Sequence, residues 1–242
     1  FIKKPIYRFN NVTFDKIEYD FVRHSLNFDI YSDFDSIAKN LYDFSSKHSI
    51  KYLHGYPSAL YEFSVYCKSN TKILNILKKT LKGAFLGSEF PHKKFRKHIE
   101  DTFSIPSISW YGHTERAILA YEKKNQYEYY PFQTYGYVET VLNKSNKNDL
   151  IGTTYYNYAS PLIRYNTEDT VSKVVKQDGI LKHFNIVDGR SGEFVLDKNG
   201  KHISLTGLIF GRHHQIFDYC LHLQVYQKLK GHIEILYVTN LE

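Results

Sequence analysis

The residues best suited to chemistry lie in one short segment, Trp110-Tyr-Gly-His-Thr-Glu115. Its aromatic rings offer a stacking face, its threonine a hydroxyl, and its glutamate a hard oxygen ligand for Mg2+. The glycine allows a tight turn and a close approach of the backbone to a ligand. Ser107-Ile-Ser109 is predicted to be a short buried strand, and ligands of open α/β sheets collect where such strands end. The segment therefore predicts a ligand site, with a surface turn holding a chance Thr-Glu pair as the open alternative.

The elements that lead to this segment alternate between helix and strand. Helices are predicted over residues 35–48, from Pro57, from a cap at Asn70 or Thr71, and from Pro91. Short buried strands are predicted at residues 50–53, 84–86 and 107–109. This alternation predicts a parallel sheet with crossover helices.

The helix that begins at Pro91 carries the strongest basic patch of the chain. Its outer face is predicted to consist of Lys93, Lys94, Arg96, Lys97 and His98. We interpret this patch as a solvated helix face. A nucleic-acid module is the alternative, and it rests only on this helix and on the net charge of +7. Because the other lysines are scattered as pairs, the sequence predicts no nucleic-acid partner.

From Ala117 onward the pattern changes to short strands separated by polar turns. Strands are predicted at residues 127–130, 137–142, 151–156 and 163–165, which indicates a mostly antiparallel sheet or a distorted barrel. Asp188-Gly-Arg190 is predicted to be a joint, followed by a hairpin with an Asn-Gly turn, a short apolar helix and two further strands. The fold class is thus α/β with mixed sheets and crossover helices. Residues 1–187 would belong to a large domain, and residues 188–242 to a hinge and a small α+β C-terminal lobe.

The composition favours a globular protein without a membrane span. Of the 242 residues, 42% are hydrophobic, and no apolar run approaches the ~20 residues that cross a bilayer. Cys67 and Cys220 lack a CxxC partner, which predicts two buried free thiols and a reducing cytoplasmic location. Because the chain contains no Met, we expect it to be a fragment or to lack modified methionines.

Other chemistries find less support in the sequence. His213-His214 has no Cys, Asp or third His at ligand spacing, which argues against a dedicated metal site there. The chain has no Gly-x-Ser-x-Gly elbow and no Cys-His pairing of the kind that hydrolases use. Arg164 is interpreted as a structural residue that pairs with a carboxylate or with the backbone.

Four segments, taken in order, resemble the adenylate-forming enzymes, which include acyl- and aryl-CoA ligases, luciferases and peptide-synthetase adenylation domains. These segments are Leu86-Gly-Ser-Glu-Phe90, Trp110-Tyr-Gly-His-Thr-Glu115, Pro161-Leu-Ile-Arg-Tyr-Asn-Thr-Glu-Asp169 and Asp188-Gly-Arg190. The resemblance is strongest to the phenylacetate–CoA ligase-like branch, which includes the CapK-like proteins of capsular polysaccharide synthesis. It implies part of the adenylate-forming ligase fold.

The resemblance also implies a role for each matching residue. The residues implied to contact the nucleotide base and ribose are Gly87, Ser88, Glu89, Phe90, Tyr111, Gly112 and Asp169. Of these, Tyr111 would stack near the adenine and Asp169 would accept hydrogen bonds from the ribose hydroxyls. Thr114 would contact the α-phosphate, Glu115 would hold Mg2+, and Arg190 would lie at the hinge.

The reaction implied by the resemblance is the activation of a small-molecule carboxylate. The carboxylate attacks the ATP α-phosphate to give an acyl-adenylate and pyrophosphate, and CoA is the default acceptor. The family's Ser/Thr/Gly-rich phosphate loop and C-terminal lysine are absent from this chain, and Asn166-Thr-Glu168 replaces the commoner Arg-Thr-Gly. We therefore expect the chain alone to be inactive. The alternative is a non-catalytic nucleotide-binding homologue that acts as a component of polysaccharide synthesis.

Overall fold

The computed structural model describes residues 18–20, 24–27, 33–45, 48–123, 125–190, 194–200, 202–205 and 220–239. The predicted apolar helix near residue 210 and the His213-His214 pair lie outside these residues. The described helices are α1 (Phe34–Ser45), α2 (Pro57–Ser69), α3 (Thr71–Thr80) and α4 (Lys93–Phe103). The described strands are β1 (Glu18–Asp20), β2 (Ser25–Asn27), β3 (Tyr52–Gly55), β4 (Gly83–Leu86), β5 (Ser107–Gly112), β6 (Leu119–Glu122), β7 (Glu128–Pro131), β8 (Gly136–Leu142), β9 (Asn148–Thr154), β10 (Tyr165–Gln177), β11 (Ile180–Arg190), β12 (Phe194–Leu196), β13 (His202–Ser204), β14 (Cys220–Tyr226) and β15 (Glu234–Thr239).

A mixed sheet of nine strands organises the molecule, in the order β3-β4-β5-β6-β7-β11-β10-β9-β8. The pairs β3–β4 and β4–β5 are parallel, and α2, α3 and α4 provide the crossovers between them. Every later pair in this sheet is antiparallel. The predicted change of pattern after Ala117 is therefore confirmed, and β5 is the strand at which the two halves meet.

The parallel half is covered by helices whose ends follow from local sequence. Pro57 occupies the first turn of α2, where its missing N–H costs nothing. Asn70 ends α2 with its backbone N–H, which donates to the carbonyls of Tyr66 and Cys67, and begins α3 with its Oδ1, which accepts a hydrogen bond from the N–H of Ile73. Ser104 adopts the left-handed conformation that ends α4. The buried residues of this half include Ile37, Leu41, Leu53, Leu60, Phe63, Leu77, Leu86, Ile99 and Phe103.

The antiparallel half has its own core. Gly136 of β8 and Gly152 of β9 let residues 117–118 pack closely against these two strands. That core contains Ala117, Ile118, Ala120, Tyr129, Val138, Leu150, Val171, Leu181 and Phe184. A Cβ added at Gly136 would lie 2.2 Å from the carbonyl oxygen of Ala117. One added at Gly152 would lie 2.7 Å from Cγ1 of Ile118. Residues 117–118 therefore pack directly on the backbones of β8 and β9. This packing fixes the turn at residues 113–116, which comes immediately before residues 117–118.

The structure corrects three predictions about secondary structure and burial. Trp110, Tyr111 and Gly112 lie within β5 and do not form the turn after it, because they pair with residues 119–121 of β6. The strand predicted at 163–165 instead begins at Tyr165 and forms a long hairpin with β11. Cys220 is half-buried, whereas Cys67 is fully buried, and burial raises the pKa of the Cys67 thiol to about 12.

The C-terminal strands form two hairpins that contact each other. β12 pairs with β13, and β14 pairs with β15. The side chain of Gln227 joins them, because it donates to the carbonyl of Leu196 and accepts from the N–H of the same residue. β11 runs through Arg190, so the domain boundary at residue 188 stays a prediction. No helix among the described residues is long and apolar enough to span a membrane.

Candidate functional site

The site is built around the end of β5, where Tyr111 contacts a strand on the antiparallel side. The hydroxyl of Tyr111 donates a hydrogen bond of 2.5 Å to Oδ2 of Asp169 on β10. The rings of Tyr111 and of Phe184 on β11 pack edge to face, with their centroids 6.2 Å apart. The hydrogen bond joins two residues that are 58 positions apart in the sequence and places the ring of Tyr111 beside the carboxylate of Asp169.

The turn that follows β5 presents the carboxylate of Glu115. Its Oε1 accepts a hydrogen bond of 3.0 Å from the hydroxyl of Tyr165, and its Oε2 lies 3.0 Å from Nδ1 of His113. The N–H of Arg116 donates to the carbonyl of His113 and closes the turn, and Arg116 has a φ of 59°. Non-glycine residues adopt this left-handed region mainly in tight turns, and several other turns of the described chain contain one.

The structure thus brings together three of the residues chosen from the sequence, Tyr111, Glu115 and Asp169. It adds two that the sequence analysis did not select, His113 and Tyr165. Both lie inside the segments that carried the resemblance, so their position near the site was visible from the sequence. Their hydrogen bonds to Glu115 depend on the folded turn and were not visible.

The other residues selected from the sequence have different surroundings. Gly87 lies against Trp110, and an added Cβ would stand 2.3 Å from the indole ring. Ser88 is exposed and has a φ of 67°. The carboxylate of Glu89 accepts hydrogen bonds from the N–H and the hydroxyl of Ser58, and so caps the N-terminus of α2. The implied roles of these residues toward adenine stay predictions.

The remaining selected residues are Phe90 before α4, Gly112 at the end of β5 with Thr114 just after it, and Arg190 at the end of β11. Phe90 packs against His92 and Tyr127, with ring centroids 5.2 and 6.0 Å apart. Gly112 pairs with Leu119 in β6, and Thr114 is exposed in the turn. The backbone of Arg190 lies opposite Asp169 in the sheet register, which brings the segment predicted as a hinge next to the site. The side chain of Arg190 lies outside what the structure describes.

Glu115 fits the requirements of a Mg2+ ligand. Proteins that bind nucleotides hold Mg2+ through one or two carboxylates together with the substrate phosphates. Glu115 supplies one such carboxylate, which is 36% exposed and stands beside the exposed hydroxyl of Thr114. The described residues contain no group of three or more His, Cys, Asp or Glu side chains that could hold a metal by themselves.

The surroundings of Glu115 favour its ionised form. Burial raises the pKa of the carboxyl, but its hydrogen bonds with its own backbone, with Tyr165 and with His113 outweigh that effect. The net result is a pKa below the ordinary value of 4.5. The carboxylate is therefore charged at neutral pH, as a cation ligand must be.

The acid stability of the chain should depend on Glu115. A carboxyl whose pKa is lowered by folding stabilises the folded chain above its unfolded pKa, and this contribution is lost as pH falls through the folded pKa. We therefore expect the difference in Tm between the wild type and Glu115→Gln to be constant near neutral pH and to shrink below pH 4.5. Thermal melts followed by circular dichroism between neutral pH and about pH 3 measure this difference. A difference that grows toward acid would contradict the prediction.

A buried ion pair behind the site corrects the predicted solvated basic face on α4 at Arg96, whereas Lys93, Lys94 and Lys97 are exposed as predicted. Arg96 is only 1% exposed, and its guanidinium bonds both carboxylate oxygens of Glu122 at 2.8 Å. It also donates to the hydroxyl and the carbonyl of Ser107, while Glu122 accepts from the backbone N–H of Ser109. The pair ties α4 to β5 and β6, immediately before Tyr111 in the chain. His98 of the same patch is half-buried, with its Nδ1 2.8 Å from the hydroxyl of Ser64.

A cavity of about 460 Å³ lies elsewhere, at the outer edge formed by β8 and β9. It is open, and its lining includes Lys144, Asp149, Arg164 and Asn166. Arg164 pairs there with Glu139 at 3.2 Å, which agrees with the structural role inferred from the sequence. None of the residues around Tyr111 described above is among the residues that line this cavity.

Comparison with known proteins identifies the fold but no family. No family model matches the chain, and no curated protein matches it. Solved structures of 2-hydroxyisobutyryl-CoA ligase are similar. One, in the postadenylation state with 2-HIB-AMP, has a TM-score of 0.56 at 14% identity, covering 87% of this chain and 48% of the ligase. Another, an open conformation with 2-HIB-AMP and CoA, has a TM-score of 0.53 at 14% identity, covering 73% and 44%.

The chain therefore spans about half the length of the solved structures that it resembles. At this identity the similarity shows the fold alone. The described elements, with their mixed sheet and crossover helices, form part of an adenylate-forming ligase fold.

Proposed function

We propose that this chain is the nucleotide-binding part of an adenylate-forming ligase, which activates a small carboxylate with ATP. The observation that carries the proposal is the cluster of Tyr111, Glu115 and Asp169. In this fold, an aromatic ring and two carboxylates from two separate segments, residues 111–115 and Asp169 of β10, lie near the end of β5. A ring, a charged metal ligand and a second carboxylate are what recognition of a base, a metal-bound phosphate and a ribose requires.

We propose a role for each residue from its contacts or its exposure. Oδ2 of Asp169 is held by Tyr111, which orients the carboxylate so that its other oxygen can accept hydrogen bonds from ribose hydroxyls. The exposed hydroxyl of Thr114 can donate to a phosphate oxygen. Mg2+, held by Glu115 and the phosphates, would neutralise the charge on the nucleotide. The adenylation product would be an acyl-adenylate, released together with pyrophosphate.

The finer parts of the proposal rest on the resemblance of the motifs and on the similar structures. Because 2-hydroxyisobutyryl-CoA ligase holds both 2-HIB-AMP and CoA, we propose CoA as the acceptor. We further propose the CapK-like branch, a part in polysaccharide synthesis, and a cytoplasmic location. Residues 1–187 would form part of the large nucleotide-binding domain, and residues 188–242 the hinge and part of the small domain.

A non-catalytic nucleotide-binding homologue is the second candidate, and one observation favours it. Where the related enzymes carry glycine, this chain has Glu168, which is exposed and has a φ of 61°. The N–H of Glu168 is bonded to Oδ1 of Asn166, a local turn immediately before Asp169. A backbone that adopts this conformation without glycine is strained, and that departure lies next to the proposed ribose ligand.

Nucleotide binding should depend on Asp169. Replacing it by asparagine removes a charged acceptor, and hydrogen bonds to charged groups contribute about 1.5–3 kcal/mol, so AMP affinity should fall about 10–100-fold. Isothermal titration of AMP into the wild type and Asp169→Asn measures the change. The matched control is Asp178→Asn, which removes the same charge at the exposed turn between β10 and β11 and should leave the affinity unchanged. Equal affinities in all three proteins would contradict the proposed site.

Assays of this chain and of a longer protein that contains it separate the two candidate functions. A longer gene product that contains this chain should support ATP–pyrophosphate exchange in the presence of a carboxylate if it is a ligase. Binding of AMP without any exchange would favour the non-catalytic homologue. Absence of AMP binding by both proteins would reject both candidates.

A further inference from the structure

His113 holds an unusual position at the proposed site. Its side chain is only 7% exposed, and Nδ1 lies 3.0 Å from Oε2 of Glu115. Its other ring nitrogen, Nε2, is buried and has no hydrogen-bond partner among the described residues. The rings of Tyr111 and Tyr165 flank it, each with a centroid 6.1 Å from that of the imidazole.

The contacts of Glu115 show what His113 does for the carboxylate. A carboxylate oxygen can only accept, so in this contact Nδ1 carries the proton and donates it. Tyr165 donates to the other oxygen of the same carboxylate. One donor on each oxygen fixes the plane of the carboxylate and leaves further lone pairs on both oxygens for a cation.

The buried Nε2 indicates that stability alone does not account for a histidine at this position. A buried polar atom without a partner destabilises the folded chain, and an apolar side chain of similar size would avoid that cost. The neighbouring rings of Tyr111 and Tyr165 would pack against such a side chain equally well. The contact that an apolar residue cannot replace is the hydrogen bond from Nδ1 to Glu115.

We propose that His113 is a positioning residue that holds the carboxylate of Glu115 in the orientation that binds the divalent cation of the nucleotide. This inference rests on the proposed function, because it takes Glu115 to be the cation ligand. Partners that orient a metal ligand in this way typically contribute about 10–100-fold to metal affinity. His113 acts through Glu115 and does not itself contact the nucleotide.

The test uses Mn2+ as a probe for Mg2+, together with a non-hydrolysable ATP analogue. The quantity measured for each protein is the ratio of the Kd of the analogue without metal to its Kd with Mn2+, obtained by titration calorimetry and by water proton relaxation. His113→Leu should reduce this ratio about 10–100-fold. His113→Asn, whose amide nitrogen stands where Nδ1 stood, should restore most of it. In thermal melts, His113→Leu should have a Tm close to that of the wild type, because the loss of the hydrogen bond to Glu115 and the removal of the unpartnered nitrogen act in opposite directions.

The matched control is His183→Leu. His183 also has a buried ring nitrogen without a partner among the described residues, but its ring packs on Tyr130. This variant should keep the full effect of Mn2+. The inference is overturned if His113→Leu keeps that effect, if His113→Asn fails as badly as His113→Leu, or if the wild type binds the analogue equally well with and without Mn2+. A wild type that binds no analogue at all overturns the proposed function, and the inference with it.

Discussion

Replacing Arg96 by methionine should destabilise the folded chain by about 3–5 kcal/mol, because it leaves a buried carboxylate without its cation. Glu122 is 3% exposed, and its carboxylate is bonded to Arg96 and to the backbone N–H groups of Ser109 and Tyr127. The reverse change, Glu122→Leu, should cost a similar amount, since the guanidinium is then the unpaired charge. Urea unfolding followed by circular dichroism measures both effects.

The chain offers a matched control on the same helix. Lys97 and Asp101 also form an ion pair, but their side chains are 78% and 58% exposed. Removing Asp101 should cost no more than about 0.5 kcal/mol, because exposed helical pairs are screened by water. The double variant Arg96→Met/Glu122→Leu should cost less than the sum of the two single changes, because no unpaired charge remains. Strict additivity would show that the two residues act independently.

The parallel half of the fold was predictable because its signals are local. Pro57 and Asn70 mark helix ends by their own chemistry, and the apolar spacing of Phe95, Ile99 and Phe103 identifies the buried side of α4. Residues 83–86 are a short, largely buried run between helices, a pattern typical of parallel strands. In the strand predicted at 107–109 the two serines are buried, whereas Ile108 is 40% exposed. The described strands and helices lie within a few residues of the predicted ones.

The long hairpin of β10 and β11 was missed because its pattern is irregular. Its pairing shifts register between Asp169 and Val171 and again between Ser172 and Val175. Each bulge breaks the two-residue alternation by which a strand is identified in a sequence. Residues 175–180 are also exposed on both faces, and their only large apolar residues, Val175 and Ile180, do not form an alternating pattern.

The prediction for Arg96 was wrong because its partner is distant in the sequence. Helical spacing places Arg96 beside a lysine-rich face, and only the approach of Glu122, from 26 positions away, explains its burial. The site shows the same limit. Tyr111, Glu115 and Asp169 could be selected from motifs, whereas the donors that hold their carboxylates are defined by the folded turn and by the neighbouring strand.

The second large expected effect is a loss of stability where residues 117–118 pack closely against β8 and β9. Gly136→Ala should destabilise the chain by about 3 kcal/mol or more, because the new Cβ would meet two backbone carbonyl oxygens. These are the oxygens of Ala117 and Thr153, at 2.2 and 2.9 Å. Backbone atoms cannot rotate away, so the sheet or residues 117–118 must move. Gly83→Ala is the matched control within the same sheet, since its nearest contact would be at 3.3 Å and its cost should be far smaller.

The variants Gly136→Ala and Gly152→Ala should respond differently to a second substitution at Ile118. At Gly152 the obstacles are side-chain atoms of Ile118 and Ala117, at 2.7 and 2.9 Å. Shortening Ile118 to alanine should therefore offset part of the cost of Gly152→Ala, but it should not offset the cost of Gly136→Ala. Urea unfolding of the single and double variants measures the two coupling free energies. Because only Arg116 separates Glu115 from residues 117–118, Gly136→Ala should also weaken Mn2+-dependent nucleotide binding under conditions where the variant is still folded. If Ile118→Ala restored the stability lost in Gly136→Ala, the backbone of residues 117–118 would not be what holds this segment against β8. The position of Glu115 would then not depend on that contact.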